Sequence, residues 1–499
     1  MTQRTDFVFG SIVRRALSGR SLSAANPQTA ALEGLIAFTP MWGAAMLFSL
    51  AGDRNILMLR EGVLLFALTW AAVAAAMTLI VRPRLTPLLY VLAGLMVIRY
   101  GLLLPVASNN KTITVFMNSA ILVCALQAAW TGLRGAQFRD VTYERMRVVA
   151  RALLAVMYFY GIFHKINTDF LDPRVSCAVA LYDPLARGFG LDGHPIGHQI
   201  AIWSTFIIET ITLVALYWKR FFAVGLIFGL MFHFVIPIST YSWYMDFSSL
   251  VLALYMLSIP REVSTAFFER VARIFRASRE RFGAPGLFVP FAVIGAIAAV
   301  IVGTIAVRVE RAGMLFQLYN SVWVLFWAVY GGIAMVLLTA VALDYLPWRG
   351  QHAPRQPLWL YAFPLVLFVT CLSPYLGLKT ESSIAMFSNL HTEGGETNHL
   401  LFAKPPYLFD YQRDVVEIVG SSSPALQEVA AKRDGMVWLG LQQYLRANPR
   451  EWVSFRRRGV LYEKASAASI AQLRQPSWLE RKFLLFKTVD FDRPKVCTH

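Results

Sequence analysis

Apolar and polar positions separate at a coarse scale along this chain. Runs of about 20 apolar residues, the length that crosses a ~30 Å hydrocarbon core, recur through roughly the first 375 positions. The pattern predicts eleven spans, at 32–50, 62–81, 85–107, 112–133, 146–163, 196–217, 221–239, 243–260, 286–308, 314–342 and 357–375. Between 261 and 283 the texture changes. Arg270, Arg273, Arg276, Arg279 and Arg281 are interleaved there with Phe267, Phe268, Val271, Ile274, Phe275 and Phe282. That spacing suits an amphipathic helix lying on an anionic cytoplasmic surface. After 376 the apolar runs become short. Val415–Val419 and Val453–Tyr462 read as strands, Met436–Leu445 and Ala465–Leu473 as helices.

The fold class expected is therefore an all-α polytopic membrane protein, with about eleven transmembrane helices and a small α+β exoplasmic C-terminal domain. Its divisions are a cytoplasmic segment at 1–31, a first transmembrane region at 32–262 and an amphipathic segment at 263–285. Further spans at 286–375 and a tail or cap at 376–499 complete it.

Composition agrees with that class. The 499 residues are 57% hydrophobic and 15% charged, with mean hydropathy +0.51. Soluble domains carry roughly 25% charge. The net charge of +17 points to cytoplasmic loops rich in Lys and Arg rather than to nucleic acid, since no zinc-knuckle spacing accompanies it. With the N-terminus inside, cytoplasmic loops and span ends hold twenty Lys and Arg, against eight on the other side. This puts the C-terminus, the loop 164–195 and the tail on the exoplasmic, periplasmic side of a bacterial inner membrane. No cleaved signal peptide is expected from Met1–Arg20. Four cysteines form no Cys-x-x-Cys motif. Cys124 and Cys371 read as core fillers, and whether Cys177 and Cys497 pair is left open.

Candidate chemistry is sparse and intramembrane. Lys165 ends the fifth span, and a lysine at the mouth of an apolar span loses its proton more readily than one in water. Two readings stand, a snorkelling interfacial lysine and a general base. Glu209, deep in the sixth span, is either an interhelical strut or a proton or substrate contact. His233 in the seventh span is either a bonded core histidine or part of a site. Arg99 is expected to pair with an acid such as Glu209. His194, His198 and Asp192 have a metal-like spacing, but Pro195 and Gly197 are expected to break any helix aligning them, so no metal is expected. The segment Thr380–His399 carries more polar groups than a linker needs. His391, Glu393, Asn398 and His399 read as a lid, with Gly394 and Gly395 turning the chain.

The segment Tyr158–Phe170, with Lys165-Ile166-Asn167-Thr168-Asp169-Phe170, resembles a signature of the horizontally transferred transmembrane family, to which the vitamin K-dependent γ-glutamyl carboxylases belong. Phe232-His233-Phe234, Asp246-Phe247-Ser248-Ser249-Leu250 and Leu257-Ser258-Ile259-Pro260 resemble a second signature. The resemblance covers roughly 30–262. It implies Lys165 as the base that deprotonates a reduced quinone and His233 as a member of the same site. Asn110 and Lys111 would lie at the quinone oxygen; Glu209, named for its place inside a span rather than by the resemblance, is expected as a further cofactor contact. Lys111 stands where that family has histidine, and the tail is too short for that family's large β-rich domain. Implied partners are membrane lipids and an exported peptide. The alternative is a non-enzymatic protein that holds lipid or quinone, or accompanies such a peptide.

Overall fold

A computed structural model describes residues 27–53, 62–106, 108–239, 244–283, 314–344, 356–402, 404–469, 476–491 and 494–497. Among the described residues thirteen α-helices precede the tail. They are α1 (Pro27–Ala51), α2 (Val63–Val81), α3 (Pro87–Leu103), α4 (Asn109–Trp130), α5 (Gly135–Phe163), α6 (Thr168–Leu171) and α7 (Cys177–Arg187). Then come α8 (Pro195–Tyr217), α9 (Phe222–Ser239), α10 (Met245–Ser258), α11 (Arg261–Phe282), α12 (Met314–Asp344) and α13 (Ala362–Leu376). Among the described residues eight helices are long and apolar enough to cross a membrane. A ninth span results if the bent pair α10–α11 counts as one. The third expected span forms the shorter apolar helix α3, and the expected span 286–308 lies outside the described residues.

The helices pack in an order set by their apolar faces. α10 is buried at every position from Ser248 to Ser258, as befits a helix apolar all round, and packs on α1, α5, α9 and α12. The chain turns by 112° between α10 and α11. Pro260 accounts for it, holding Ile259 extended and starting the next helix. α11 matches the expected amphipathic segment, but it is not simply laid on a surface. It packs on α1 and α12, Ser264 Oγ lies 3.1 Å from the Tyr143 hydroxyl, and Arg270 is buried.

The tail is α+β, as expected, with one five-stranded antiparallel sheet. Its strands are β1 (Val415–Ser421), β2 (Asp434–Val437), β3 (Val453–Arg457), β4 (Val460–Ala465) and β5 (Val489–Asp490), in spatial order β4-β3-β1-β2-β5. Helices α14 (Pro424–Ala431), α15 (Trp438–Ala447) and α16 (Trp478–Phe483) complete it. Three expectations need correction. Val453–Tyr462 is not one strand but a hairpin, because Arg458 and Gly459 both take positive φ, the signature of a two-residue turn matched to strand twist. Met436 and Val437 belong to a strand, since β2 pairs with β1 before the helix begins. Ala465 ends β4 rather than opening a helix. Gly435 lies so close under β1 that a Cβ would overlap the Val416 carbonyl oxygen and the Phe491 ring. Gly435→Ala should therefore cost about 1–3 kcal/mol by overpacking, read as a lower melting temperature of the tail.

Several contacts place this tail at one end of the helix bundle. The Phe409 amide donates to Leu376 at the end of α13, and Leu400 donates to Ile166 just past α5. Lys482 Nζ donates to Leu104, the residue that ends α3.

Candidate functional site

α5 stops where its greasy face runs out, and the next residues build the site. Asn167 turns extended and its side-chain oxygen accepts from the amides of Asp169 and Phe170, capping α6. This fixes Lys165 pointing back into the bundle. Lys165 Nζ donates to both carboxylate oxygens of Glu209, each at 2.8 Å, and both side chains are buried. A cavity of about 70 Å³ adjoins the pair and also reaches His233. Lys165, Glu209 and His233, from three different helix segments, thus share one space. Its walls are otherwise apolar, with Phe170, Phe232 and Phe247 prominent.

His233 is tied by one nitrogen only. Nε2 shares a 2.8 Å hydrogen bond with the Tyr158 hydroxyl, which in turn bonds the Tyr255 hydroxyl. Nδ1 is buried without a hydrogen-bond partner among the described residues. Gly229 makes room for Tyr255, because a Cβ there would overlap its hydroxyl. Gly229→Ala should push Tyr255 off Tyr158 and free the Tyr158–His233 bond. Tyrosine ultraviolet resonance Raman should register the changed hydrogen bonding, with an unaltered spectrum the contrary result.

Asn110 and Lys111 are elsewhere. At the start of α4, the Asn110 amide donates to Asp246 and Lys111 pairs with Asp53. Neither residue lines the cavity. Arg99 does not meet Glu209 as expected: it pairs with Asp53 at 2.6 Å and donates to Thr69 Oγ1 at 2.8 Å. Glu209 is already taken by Lys165.

The strap Thr380–Leu390 forms one wall of the cavity through Ile384, Met386 and Phe387. Four of its non-glycine residues, Ser382, Ile384, Phe387 and Asn389, hold positive φ, a conformation that persists only when surroundings fix it. The surroundings do. Asn109 Oδ1 accepts from the Ile384 amide at 2.5 Å, and Asn167 Nδ2 donates to Ser388 O at 2.6 Å. Asn389 accepts from the Cys177 amide and donates to the carbonyls of Val175 and Lys495. Cys177 and Cys497 form a disulfide beside it.

The four expected lid residues lie next to this strap, and none lines the cavity. His399 Nε2 donates to Phe163 O at 2.9 Å, and Asn398 Nδ2 donates to Asp169 and to Asn389 O. His391 donates to Glu393 O at 3.0 Å, while the buried Glu393 carboxylate accepts from Thr392 N. Burial pushes the Glu393 carboxyl up, but the charges of His391 and Lys495 and the Thr392 bond outweigh it and hold it low. These residues knit the tail to the end of α5. Asn109, Tyr158, Tyr255 and the strap residues 384–387 were not singled out by sequence. Only the density of polar groups in 380–399 hinted at the last.

The metal-like trio also resolves. Pro195 opens α8 rather than breaking it, as its fixed φ suits a first helical position. His198 Nε2 meets Asp183 Oδ1 at 2.9 Å, whereas Asp192 turns to Arg187 at 3.4 Å. Among the described residues no cluster of His, Cys, Asp and Glu could hold a metal ion.

The junction carries its own acid sensitivity. His164, just beyond α5, meets Ser383 O at 3.1 Å through Nε2 and the Tyr375 hydroxyl at 2.8 Å through Nδ1. A carbonyl can only accept, so Nε2 carries the proton and Tyr375 donates to Nδ1. Burial pushes the His164 imidazole down to about 3, and burial also lowers His399. A base held below its unfolded value takes up its proton first in the unfolded chain, so stability falls as pH drops below 6.5. For His164 the loss at pH 5 is about 2 kcal/mol. Melting at pH 7 and pH 5 should show it, and His164→Phe should flatten the dependence.

Compared with family models, with curated proteins and with solved structures, the chain finds no match.

Proposed function

We propose that this is an integral membrane protein that takes a proton from a lipid-soluble quinol in the Lys165 cavity, as a carboxylase-like enzyme. The observation that carries the reading is the joint position of Lys165, Glu209 and His233 in one apolar-walled space. Lys165 is bonded to a carboxylate, so its basic form arises when the ammonium proton passes to Glu209. The amine then takes the quinol proton, and the quinolate is stabilised by the new ammonium, with His233 within the same cavity. By resemblance, the quinolate adds O2 and the alkoxide so formed removes the γ-proton of a glutamyl residue. The carbanion then adds CO2, leaving quinone epoxide and water. The cosubstrate is a vitamin K-like reduced quinone, and the peptide is exported. The Cys177–Cys497 disulfide supports an oxidising, exoplasmic setting for the tail, with the N-terminus cytoplasmic.

One observation favours a second reading, a non-enzymatic protein that holds lipid or quinone or accompanies an exported peptide. The cavity of about 70 Å³ holds two or three waters, whereas small-molecule pockets span roughly 300–1,000 Å³. A quinol ring therefore enters only if the strap moves. The test is uptake of labelled CO2 into a glutamyl peptide by protein in vesicles with reduced quinone. Lys165→Ala should lower it about 10²–10⁴-fold. Undiminished uptake would remove Lys165 from the chemistry, and co-purifying quinone without turnover would favour the second reading.

A further inference from the structure

The tail leaves large apolar side chains uncovered on its sheet, at Val419, Val460, Leu461, Tyr462 and Phe491, and also at three places that adjoin the end of an apolar helix of the bundle. Leu400 and Leu401 are 54% and 64% exposed, and the Leu400 amide is bonded to Ile166, three residues past α5. Leu408 and Phe409 are 74% and 43% exposed, and the Phe409 amide is bonded to the last residue of α13. On α16, Trp478 and Leu479 are each 61% exposed and Phe483 is 47% exposed.

The orientation of α16 is fixed by two of its residues. Lys482 reaches Leu104 at the end of α3, while Glu480 is buried in the tail, accepting from Tyr411 at 2.9 Å. At 3.6 residues per turn, Trp478, Lys482, Leu479 and Phe483 fall within an arc of about 140°, with Glu480 outside it. The side of α16 that faces the span end is thus the side that carries its uncovered apolar residues, while Arg481 stands exposed at its edge. Tryptophan, long apolar side chains and a flanking cation are the residues that settle at the boundary between headgroups and acyl chains.

We propose that the tail is an interfacial cap. These three clusters form an apolar ring that dips into the lipid leaflet around the ends of α3, α5 and α13, with Arg481 at the headgroups. The ring is continuous with the lipid-facing side chains of the spans and needs no protein partner to cover it. The proposal rests on the spans crossing a bilayer and is independent of the chemistry assigned to Lys165.

The test is spin-label depth measurement on the full chain in vesicles of zwitterionic and anionic lipid, with the native disulfide intact. Leu401→Cys, Leu408→Cys and Leu479→Cys each carry one nitroxide at an exposed position, so folding is little disturbed. Leu126→Cys, 68% exposed on α4, serves as the lipid-facing reference. Relaxation of all three tail labels should be enhanced more by apolar oxygen than by a water-soluble nickel chelate, with the balance shifted toward that of the Leu126 label. Nickel dominating at the tail labels while oxygen dominates at Leu126 would overturn the cap and leave the spans intact. Shielding from both reagents, with dipolar broadening between molecules, would also overturn it in favour of a second copy on this surface.

Discussion

Glu209→Ala is expected to destabilise the protein by about 3–5 kcal/mol, one of the largest effects of any single substitution here. Lys165 and Glu209 are both buried and satisfy each other through two 2.8 Å bonds. Removing the carboxylate strands an ammonium among Phe170, Phe232 and Phe247. The attraction itself does not account for the figure, because desolvating both ions cancels much of it. The penalty comes from the charge left behind. Lys165→Met combined with Glu209→Leu should therefore recover most of the lost stability while remaining inactive. The measurement is a detergent-denaturation midpoint for the single and double variants. A loss of only about 0–1 kcal/mol for Glu209→Ala, the worth of an exposed pair, would show that water reaches the site and would undercut base chemistry there.

The second large effect is expected at Cys497→Ser. The disulfide joins positions separated by 320 residues and holds the chain beside Asn389, which itself bonds Cys177, Val175 and Lys495. Losing the link should cost about 2–4 kcal/mol, concentrated in the tail. Limited proteolysis should cut the variant tail far faster than the wild-type tail, and a reductant should reproduce this in the native chain. An unchanged cleavage half-life would mean that the strap is held by its hydrogen bonds alone.

Much of the fold was legible because hydrophobic length is a strong signal. Each expected span that falls within the described residues forms a helix. Lys165, Glu209 and His233 could be named individually because ionisable groups inside apolar runs stand out. Their convergence could not be read, since it depends on how α5, α8 and α9 pack. Arg99 shows the limit: an acid for it was foreseeable, but Asp53 and Glu209 differ only in three dimensions. The strap was harder still. Ile384, Met386 and Phe387 look like any short apolar run, and their role comes from positive-φ turns at ordinary residues rather than glycines. In the sheet, the turn falls at Arg458 and Gly459, and neither was read as one, since Arg458 is an ordinary residue for such a position, so one hairpin read as one strand.

The Cys177–Cys497 link also orders events during biosynthesis. Cys177 adjoins Ala178 in the wall of the cavity, yet its partner is translated 320 residues later. A nascent chain can insert α5, α8 and α9 long before that partner leaves the ribosome. Until residue 497 has been delivered and oxidised, the wall of the space around Lys165 lacks this fastening. The disulfide is thus one of the last links of the fold to be made.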